Sequence, residues 1–313
     1  MSVFAIVRIV LAALIVPAAI YALYRTRQAE RDNPPLGKFV SIDGARLHYI
    51  DRGKGPPLVL LHGNGSMIQD FHSSGLIEQA AKHYRVIAFD RPGYGHSTRP
   101  RNRVWNPQRQ AQVLHDALVN LKVERPIVVG HSWGTLVAVA MALDYPSYVR
   151  ALVLASGYYF PTFRPDVALL APPAIPVLGD IYRYTLGPLV ARMLWPGMLR
   201  QIFGPAKTPK AFRSEFPVWM ALRPKQLRAS AAESALLIPA ASKLRRRYHE
   251  LKMPVVIVAG DKDRFVRAKR HSARLHDELP QSELHLTPGA GHMIHHVAPR
   301  DVSAAIDMAA KAA

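Results

Sequence analysis

The sequence contains no cysteine among its 313 residues. This absence excludes disulfide bonds, thiolate metal sites and a cysteine nucleophile, and it leaves the redox compartment undecided. Acidic residues are also scarce: 22 Asp and Glu stand against 41 Lys and Arg, which gives a formal net charge of +19. No helix-turn-helix, zinc-finger spacing or RNA-binding signature accompanies this charge, so we expect no nucleic-acid partner. The charge favours an anionic lipid surface as a partner, or it reflects a generally basic composition.

The chain also lacks internal repeats and low-complexity tracts, and 49% of its residues are apolar, which is typical of a globular protein. Short apolar strands alternate with helical patterns over residues 38–157 and again over residues 251–313. This alternation predicts an α/β fold with a doubly wound, mostly parallel sheet. Residues 158–250 lose that rhythm and hold 12 of the 26 prolines. We interpret them as an insertion of short helices separated by proline turns.

Residues 3–24 are apolar except for Arg8, and arginines follow directly behind them. As a helix the stretch would be about 33 Å long, enough to cross a hydrocarbon core of roughly 30 Å. A cleaved signal peptide carries its positive charge before the apolar core, so an uncleaved transmembrane helix is the favoured interpretation. We therefore predict a membrane anchor at residues 1–30 and a tether at residues 31–37. The positive-inside rule then places the main domain in the cytoplasm, whereas cleavage would mean secretion.

The most informative stretch is an apolar β-branched run, residues 127–129, that leads into Gly-His-Ser-Trp-Gly at residues 130–134. A helical pattern follows at once. A serine on so sharp a strand-to-helix turn needs glycine two residues before it and two residues after it, because a side chain there would clash. The pattern predicts a nucleophile elbow that presents the hydroxyl of Ser132 above the sheet.

Five motifs occur in an order that resembles the α/β-hydrolase fold family over residues 38–313. They lie at residues 62–63, 90–97, 130–134, 260–263 and 289–292. The resemblance implies that the insertion at 158–250 forms a helical cap over an active site, and that residues 38–157 and 251–313 form the hydrolase core.

The resemblance also assigns roles to single residues. It implies that Ser132 is the nucleophile, Asp263 the acid and His292 the general base, with oxyanion donors at the backbone N–H groups of Asn64 and Trp133. The chemistry agrees, since a serine hydroxyl needs an imidazole to take its proton and the imidazole needs a carboxylate to fix its tautomer. No cofactor is expected for this chemistry.

A second aspartate, Asp261, lies two residues before Asp263. The family pattern places the acid three residues after the glycine, which selects Asp263, and we expect Asp261 to cap the turn. His295 and His296 lie close to His292 and invite a metal interpretation. No acidic ligand is near them in the sequence and the zinc-protease spacings do not match, so we expect no metal site.

A serine at the elbow argues against the haloalkane dehalogenases and epoxide hydrolases, which resemble this family but use an aspartate nucleophile. We expect hydrolysis of carboxylic esters, lipophilic ones above all, through an acyl-enzyme. A carbon–carbon bond hydrolase and a cofactor-free perhydrolase on the same triad remain alternatives. A non-catalytic, membrane-anchored binding module is the alternative of another class. The oligomeric state and the substrate itself are not determined by the sequence.

Overall fold

A single eight-stranded sheet organises the chain in the computed structural model, which describes residues 2–313 apart from the side chains of residues 3, 6, 7, 9–12, 14, 168 and 169. The strands are β1 (Lys38–Ile42), β2 (Ala45–Arg52), β3 (Pro57–Leu61), β4 (Arg85–Phe89), β5 (Ile127–His131), β6 (Ala151–Ala155), β7 (Val255–Gly260) and β8 (Ser282–Thr287). Their order across the sheet is β1-β2-β4-β3-β5-β6-β7-β8. Only β1 with β2 and β2 with β4 pair antiparallel, so the predicted doubly wound, mostly parallel sheet is confirmed.

The helices lie on both faces of the sheet and in the insertion between β6 and β7, except for α1, which precedes the sheet. They are α1 (Val3–Asp32), α2 (Ile68–Ser73), α3 (Leu76–Ala80), α4 (Pro107–Asn120), α5 (Trp133–Asp144), α6 (Pro165–Leu170), α7 (Leu178–Tyr184), α8 (Gly187–Phe203), α9 (Lys210–Glu215), α10 (Val218–Ala221), α11 (Pro224–Arg245), α12 (Ser272–Glu278), α13 (Ile294–Val297) and α14 (Pro299–Ala312). Short 3₁₀ helices occur at Pro172–Ala174, Tyr248–Glu250 and Ala268–Arg270.

Strand β3 shows how the alternation of side chains builds two cores. Val59 and Leu61 face the layer that contains α4 and α5, whereas Leu58 and Leu60 face the layer that contains α3 and α14. All four side chains are fully buried, as expected for a central parallel strand covered on both faces. The carboxyl ends of the parallel strands consequently meet at one edge of the sheet, where open α/β sheets place their sites.

The insertion between β6 and β7 is helical, as the proline-rich pattern predicts, but its helices are longer than that pattern suggests. Helices α8 and α11 have 17 and 22 residues and run through Pro196 and Pro239. A proline inside a helix removes one backbone hydrogen bond. Tertiary packing compensates here, because Trp195 beside the first proline and Ala240 beside the second are both buried.

The predicted transmembrane anchor at residues 1–30 is wrong for the part of the chain that the structure describes, where no helix is both long and apolar enough to cross a bilayer. The second half of α1 instead packs against the insertion. Ala22 is buried, and the ring of Tyr21 meets Trp219 of α10 edge-on with 6.2 Å between centroids. Near the end of α1, Glu30 forms an ion pair of 2.6 Å with Arg223.

The first half of that stretch is only partly described, because the side chains of residues 3, 6, 7, 9–12 and 14 lie outside the described residues. The segment predicted as a tether is also in contact with the domain: α1 extends to Asp32, and the carbonyl of Asn33 accepts a hydrogen bond from His96 Nε2 at 3.0 Å. The membrane-anchored localisation, with its cytoplasmic domain, depended on the transmembrane helix and is withdrawn with it.

Candidate active site

Ser132 lies on the sharp turn between β5 and α5, with φ +52° and ψ −119°. A positive φ is rare for a residue with a side chain, and it marks a strained turn of the kind that a nucleophile elbow requires. The flanking glycines leave no room for a side chain. A Cβ atom on Gly134 would lie 2.1 Å from the carbonyl oxygen of Leu61, and one on Gly130 would lie 2.6 Å from the carbonyl oxygen of Gly134. Close packing therefore maintains the strained turn.

Three side chains from distant parts of the sequence meet at this turn. His292 Nε2 lies 3.0 Å from Ser132 Oγ, and His292 Nδ1 lies 2.8 Å from Asp263 Oδ2. The arrangement fits a hydroxyl that donates to Nε2 and an Nδ1–H that donates to the carboxylate. His292 and Asp263 are only 3% and 5% exposed, so water competes little for these hydrogen bonds.

The two aspartates after β7 have different partners. Asp263 Oδ1 accepts the backbone N–H groups of Phe265 at 2.8 Å and Val266 at 2.7 Å, which leaves Oδ2 to face His292. Asp261 Oδ1 instead accepts the backbone N–H of Gly289 at 2.7 Å. The structure thus places Asp263 beside the imidazole and Asp261 across the neighbouring turn.

The backbone N–H groups expected to stabilise an oxyanion lie on the two segments that flank Ser132. Trp133 is the first residue of α5, where N–H groups have no partner within the helix. The loop after β3 passes close to the elbow, since a Cβ on Gly63 would lie 3.1 Å from Ser132 Cβ. Among the hydrogen bonds of the described residues, neither the N–H of Trp133 nor that of Asn64 has an acceptor. The oxyanion role expected of these two N–H groups stays a prediction.

A buried ion pair between Arg91 and Glu233, absent from the sequence-based site, supports the Asn64 loop. Arg91 Nε donates to the carbonyl of His62 at 2.7 Å, and Nη2 donates to the carbonyl of Gly63 at 3.0 Å. Arg91 Nη1 pairs with Glu233 Oε1 of α11 at 2.6 Å, and both side chains are fully buried. The pair holds the backbone next to Asn64 in place. Arg91 belongs to the loop at residues 90–97, but nothing in the sequence points to its partner 142 residues away.

The hydroxyl of Tyr94 links the ion pair to the oxyanion loop. It lies 2.7 Å from Glu233 Oε2 and 2.8 Å from Asn64 Oδ1. The side-chain amide of Asn64 also donates to the carbonyl of Ser230 and to Ser234 Oγ, both on α11 at 3.2 Å. The Asn64 side chain is therefore fixed to the insertion while its backbone N–H remains free.

Two further histidines position the loops of the site. His62 Nδ1–H donates to the carbonyl of Gly63 at 2.8 Å, and its Nε2 accepts the backbone N–H of Arg91 at 3.0 Å. Burial, together with the charge of Arg91, lowers the pKa of His62 to about 4, so the ring is neutral near pH 7. His131 Nε2 lies 3.1 Å from the carbonyl of His292 and connects the elbow to the histidine loop. Burial holds the pKa of His131 well below its usual range.

Comparisons with known proteins identify the fold family of this chain. The family description "alpha/beta hydrolase fold" matches residues 56–299. The chain is 28% identical over 274 residues to haloalkane dehalogenase 2 of Mycobacterium tuberculosis, covering 83% of this chain and 90% of that protein. It is 28% identical over 270 residues to 2-hydroxy-6-oxo-2,4-heptadienoate hydrolase of Pseudomonas putida, covering 84% of this chain and 91% of that protein.

Among solved structures, a membrane phospholipase A that is a bacterial virulence factor superposes with a TM-score of 0.67 at 21% identity. The superposition covers 98% of this chain and 97% of the phospholipase, and at this identity it shows the fold alone. The family match spans most of the sequence and includes Ser132, Asp263 and His292. The chain therefore belongs to the alpha/beta hydrolase fold family, and it is a hydrolase.

Proposed function

We propose that this protein is a serine hydrolase of carboxylic esters, with Ser132 as nucleophile, His292 as general base and Asp263 as the acid. One observation carries the proposal: a continuous line of contacts, 3.0 Å from Ser132 Oγ to His292 Nε2 and 2.8 Å from His292 Nδ1 to Asp263 Oδ2. These distances lie within hydrogen-bond range and give each group the partner that its role requires. The helices between β6 and β7 form the cap of this enzyme.

In this mechanism, Ser132 Oγ attacks the ester carbonyl while His292 Nε2 takes the hydroxyl proton. The negative oxygen of the tetrahedral intermediate accepts the N–H groups of Asn64 and Trp133. Protonated His292, stabilised by Asp263, then gives its proton to the leaving alcohol, and the carbon–oxygen bond breaks to leave an acyl-enzyme. Water attacks the acyl-enzyme by the same route, which releases the acid and restores the serine. No metal or organic cofactor takes part.

The serine separates this reaction from that of the dehalogenase relative. In a dehalogenase, an aspartate displaces halide and forms an alkyl ester, whereas Ser132 at the corresponding place attacks a carbonyl. The heptadienoate hydrolase similarity supports a second candidate, hydrolysis of a carbon–carbon bond next to a ketone. Both reactions begin with activation of Ser132, so only substrates distinguish them.

We further propose that the preferred esters are lipophilic and are taken from a lipid surface. Large apolar side chains are exposed on and beside the cap helices α6–α8. Among those that the structure describes there, four are more than two-thirds exposed: Phe163, Val177, Leu178 and Met193. Apolar exposure on this scale marks an interaction surface. The net charge of +19 favours an anionic surface, and the structural likeness to a phospholipase A agrees with acyl esters of lipids.

The test is a series of p-nitrophenyl esters with acyl chains from acetate to palmitate, measured with and without anionic phospholipid vesicles. We expect kcat/KM to rise with acyl length and with vesicles, and Ser132→Ala to abolish turnover and labelling by a fluorophosphonate probe. Activity highest on acetate would remove the lipophilic preference. Turnover of 2-hydroxy-6-oxo-2,4-heptadienoate without ester cleavage would favour the carbon–carbon hydrolase. A wild-type protein that resists the probe would favour a binding module.

A double variant tests whether the exposed apolar side chains of the cap contribute to activity at a lipid surface. Replacing Phe163 and Met193 together by Ser should lower the vesicle-stimulated activity several-fold and leave the activity on a soluble short-chain ester unchanged, because both side chains face solvent. An equal loss in both assays would mean that these side chains support folding and not surface binding.

A further inference from the structure

A second cluster of ionisable side chains lies behind the active site, between α2 and α13. His296 Nε2 lies 2.7 Å from Asp70 Oδ1, and His295 Nε2 lies 3.2 Å from the same oxygen. One ligand-type atom from each of the three residues falls within 4.8 Å of the others, and all three side chains are buried. The triad uses none of them.

Hydrogen bonding within the protein accounts for only part of this cluster. The ring of His296 is aligned to donate to Asp70. His295 is 1% exposed, yet neither of its ring nitrogens has a hydrogen-bond partner in the part of the chain that the structure describes. Its Nε2 lies close to Asp70 Oδ1 without the alignment of a hydrogen bond. A buried imidazole whose nitrogens have no hydrogen-bond partner destabilises a protein. We therefore expect a further group to bind His295.

The negative charge of Asp70 also calls for a further group in this cluster. Ser66 Oγ donates to Asp70 Oδ2 at 2.8 Å, but a hydroxyl brings no positive charge. Among the described residues, the ion-pair partners of Asp70 are the two histidines, with no Lys or Arg. A buried carboxylate requires a cation nearby, either an imidazolium or a bound metal ion.

We propose that Asp70, His295 and His296 bind a divalent transition-metal ion of the zinc type. Two imidazole nitrogens and one carboxylate oxygen suit zinc and its neighbours, whereas magnesium and calcium take oxygen ligands. Donor atoms around tetrahedral zinc are about 3.3 Å apart, because each lies about 2.0 Å from the ion. The His295–Asp70 spacing of 3.2 Å already matches, and the His296–Asp70 spacing of 2.7 Å would widen by about 0.6 Å as the ion replaces the shared proton. The ion would satisfy the free Nε2 of His295 and neutralise Asp70.

The sequence argument against a metal depended on the lack of an acidic residue near the histidines. Folding brings Asp70 to them, although it lies 226 residues before His296. The ion joins α2 to α13, and α13 begins two residues after His292. Its role is structural: it holds the loop that carries His292, and it takes no part in the reaction at Ser132.

The experiment uses the full-length protein, stripped with a chelator and dialysed. Addition of Zn²⁺ should give one bound ion per chain by mass spectrometry and raise Tm by roughly 5 °C at saturation, whereas Mg²⁺ should do neither. Co²⁺ in place of zinc should give the visible absorption of a site with nitrogen and oxygen ligands. This spectrum comes from the unmutated protein, so the test does not depend on a variant that folds.

The variants Asp70→Asn, His295→Gln and His296→Gln should each lose the cobalt spectrum and the zinc-dependent rise in Tm. The matched control is His83→Gln, which changes an exposed histidine on the surface and should retain both. An unmutated protein that binds no zinc or cobalt stoichiometrically would overturn the proposal and leave an Asp–His cluster charged by an imidazolium. Binding that persists in all three variants would overturn it equally.

Discussion

Replacing Asp263 by Asn would change which nitrogen of His292 carries a proton. Asp263 Oδ1 accepts two backbone N–H groups, from Phe265 and Val266, at 2.8 and 2.7 Å. An asparagine keeps these hydrogen bonds only if its carbonyl oxygen takes the place of Oδ1. Its NH₂ group then faces His292 Nδ1, where the carboxylate now accepts a hydrogen bond at 2.8 Å. Because the amide can only donate there, Nδ1 must become an acceptor and the proton moves to Nε2.

A protonated Nε2 cannot take the proton of Ser132, which lies 3.0 Å away. The variant also loses the negative charge that stabilises the imidazolium during attack. We therefore expect kcat to fall by about three to four orders of magnitude, which corresponds to roughly 4–5.5 kcal/mol in activation free energy. The fold should survive, since the two backbone hydrogen bonds remain.

The matched control is Asp261→Asn, two residues away on the same loop. Asp261 accepts the N–H of Gly289, which an amide oxygen can accept equally well, and it forms a surface ion pair of 3.4 Å with Lys262 that the amide would lose at little cost. We expect kcat within about twofold of the unmutated protein and a stability loss on the order of 1 kcal/mol.

The assay is kcat and kcat/KM on one p-nitrophenyl ester, with Tm measured for both variants. A large loss of kcat in Asp261→Asn with normal turnover in Asp263→Asn would refute the assignment of Asp263 as the acid. A collapse of Tm in Asp263→Asn would mean that lost activity reports unfolding and not a changed tautomer.

Three further predictions test other parts of the structure. Gly134→Ala places a Cβ 2.1 Å from a backbone carbonyl and should lower the free energy of unfolding by about 3 kcal/mol or more. In the control Gly197→Ala the new Cβ meets nothing within 4 Å, so the free energy of unfolding should rise by roughly 0.5–1 kcal/mol. Urea titrations measure both changes. The pKa of His62 is lowered from 6.5 to about 4 in the folded protein, so the unfolded state takes up a proton first as the pH falls. The free energy of unfolding should therefore fall by up to about 3 kcal/mol between pH 6.5 and pH 4. His62→Gln should reduce this dependence of stability on pH. Glu233→Gln leaves Arg91 buried without its counter-charge and should lower the free energy of unfolding by about 3–5 kcal/mol, measured by urea titration. A loss smaller than about 1 kcal/mol would show that water reaches the ion pair.

The sequence predicted the elements whose causes are local. The run from β5 through Ser132 to α5 is specified by β-branched residues, two glycines and a helical pattern, all within a few residues of one another. The meeting of Asp263 with His292 was also accessible, because both follow the carboxyl ends of adjacent parallel strands.

Other features depend on contacts that a sequence does not display. In the sequence, Glu233 cannot be distinguished from a solvent-exposed glutamate on a helix. Its buried ion pair with Arg91 forms only when α11 packs against the loop after β4. Asp70 reaches His295 only through tertiary folding, so the histidines looked isolated from acidic residues. The apolar stretch at the beginning of the chain matched a membrane span in length, but a hydropathy pattern does not reveal that Tyr21 and Ala22 pack on the protein itself.

The attachment of α11 to the core limits how the active site can open. Glu233 pairs with Arg91 on the loop after β4, and the Asn64 side chain binds the same helix, so a rigid swing of the whole insertion would separate two buried opposite charges. In the ion pair between Arg101 and Asp180 of α7, the arginine is exposed and the aspartate is partly exposed, and pairs at the surface hold weakly. Substrate entry should therefore proceed by displacement of α6 and α7, with α11 acting as a stationary wall of the entrance. Helix α8 stays in place as well, because the carbonyl of Ile202 near its end accepts the backbone N–H groups of His292 at 3.0 Å and Met293 at 3.3 Å. An inhibitor that wedges between α7 and the core would block turnover without touching Ser132.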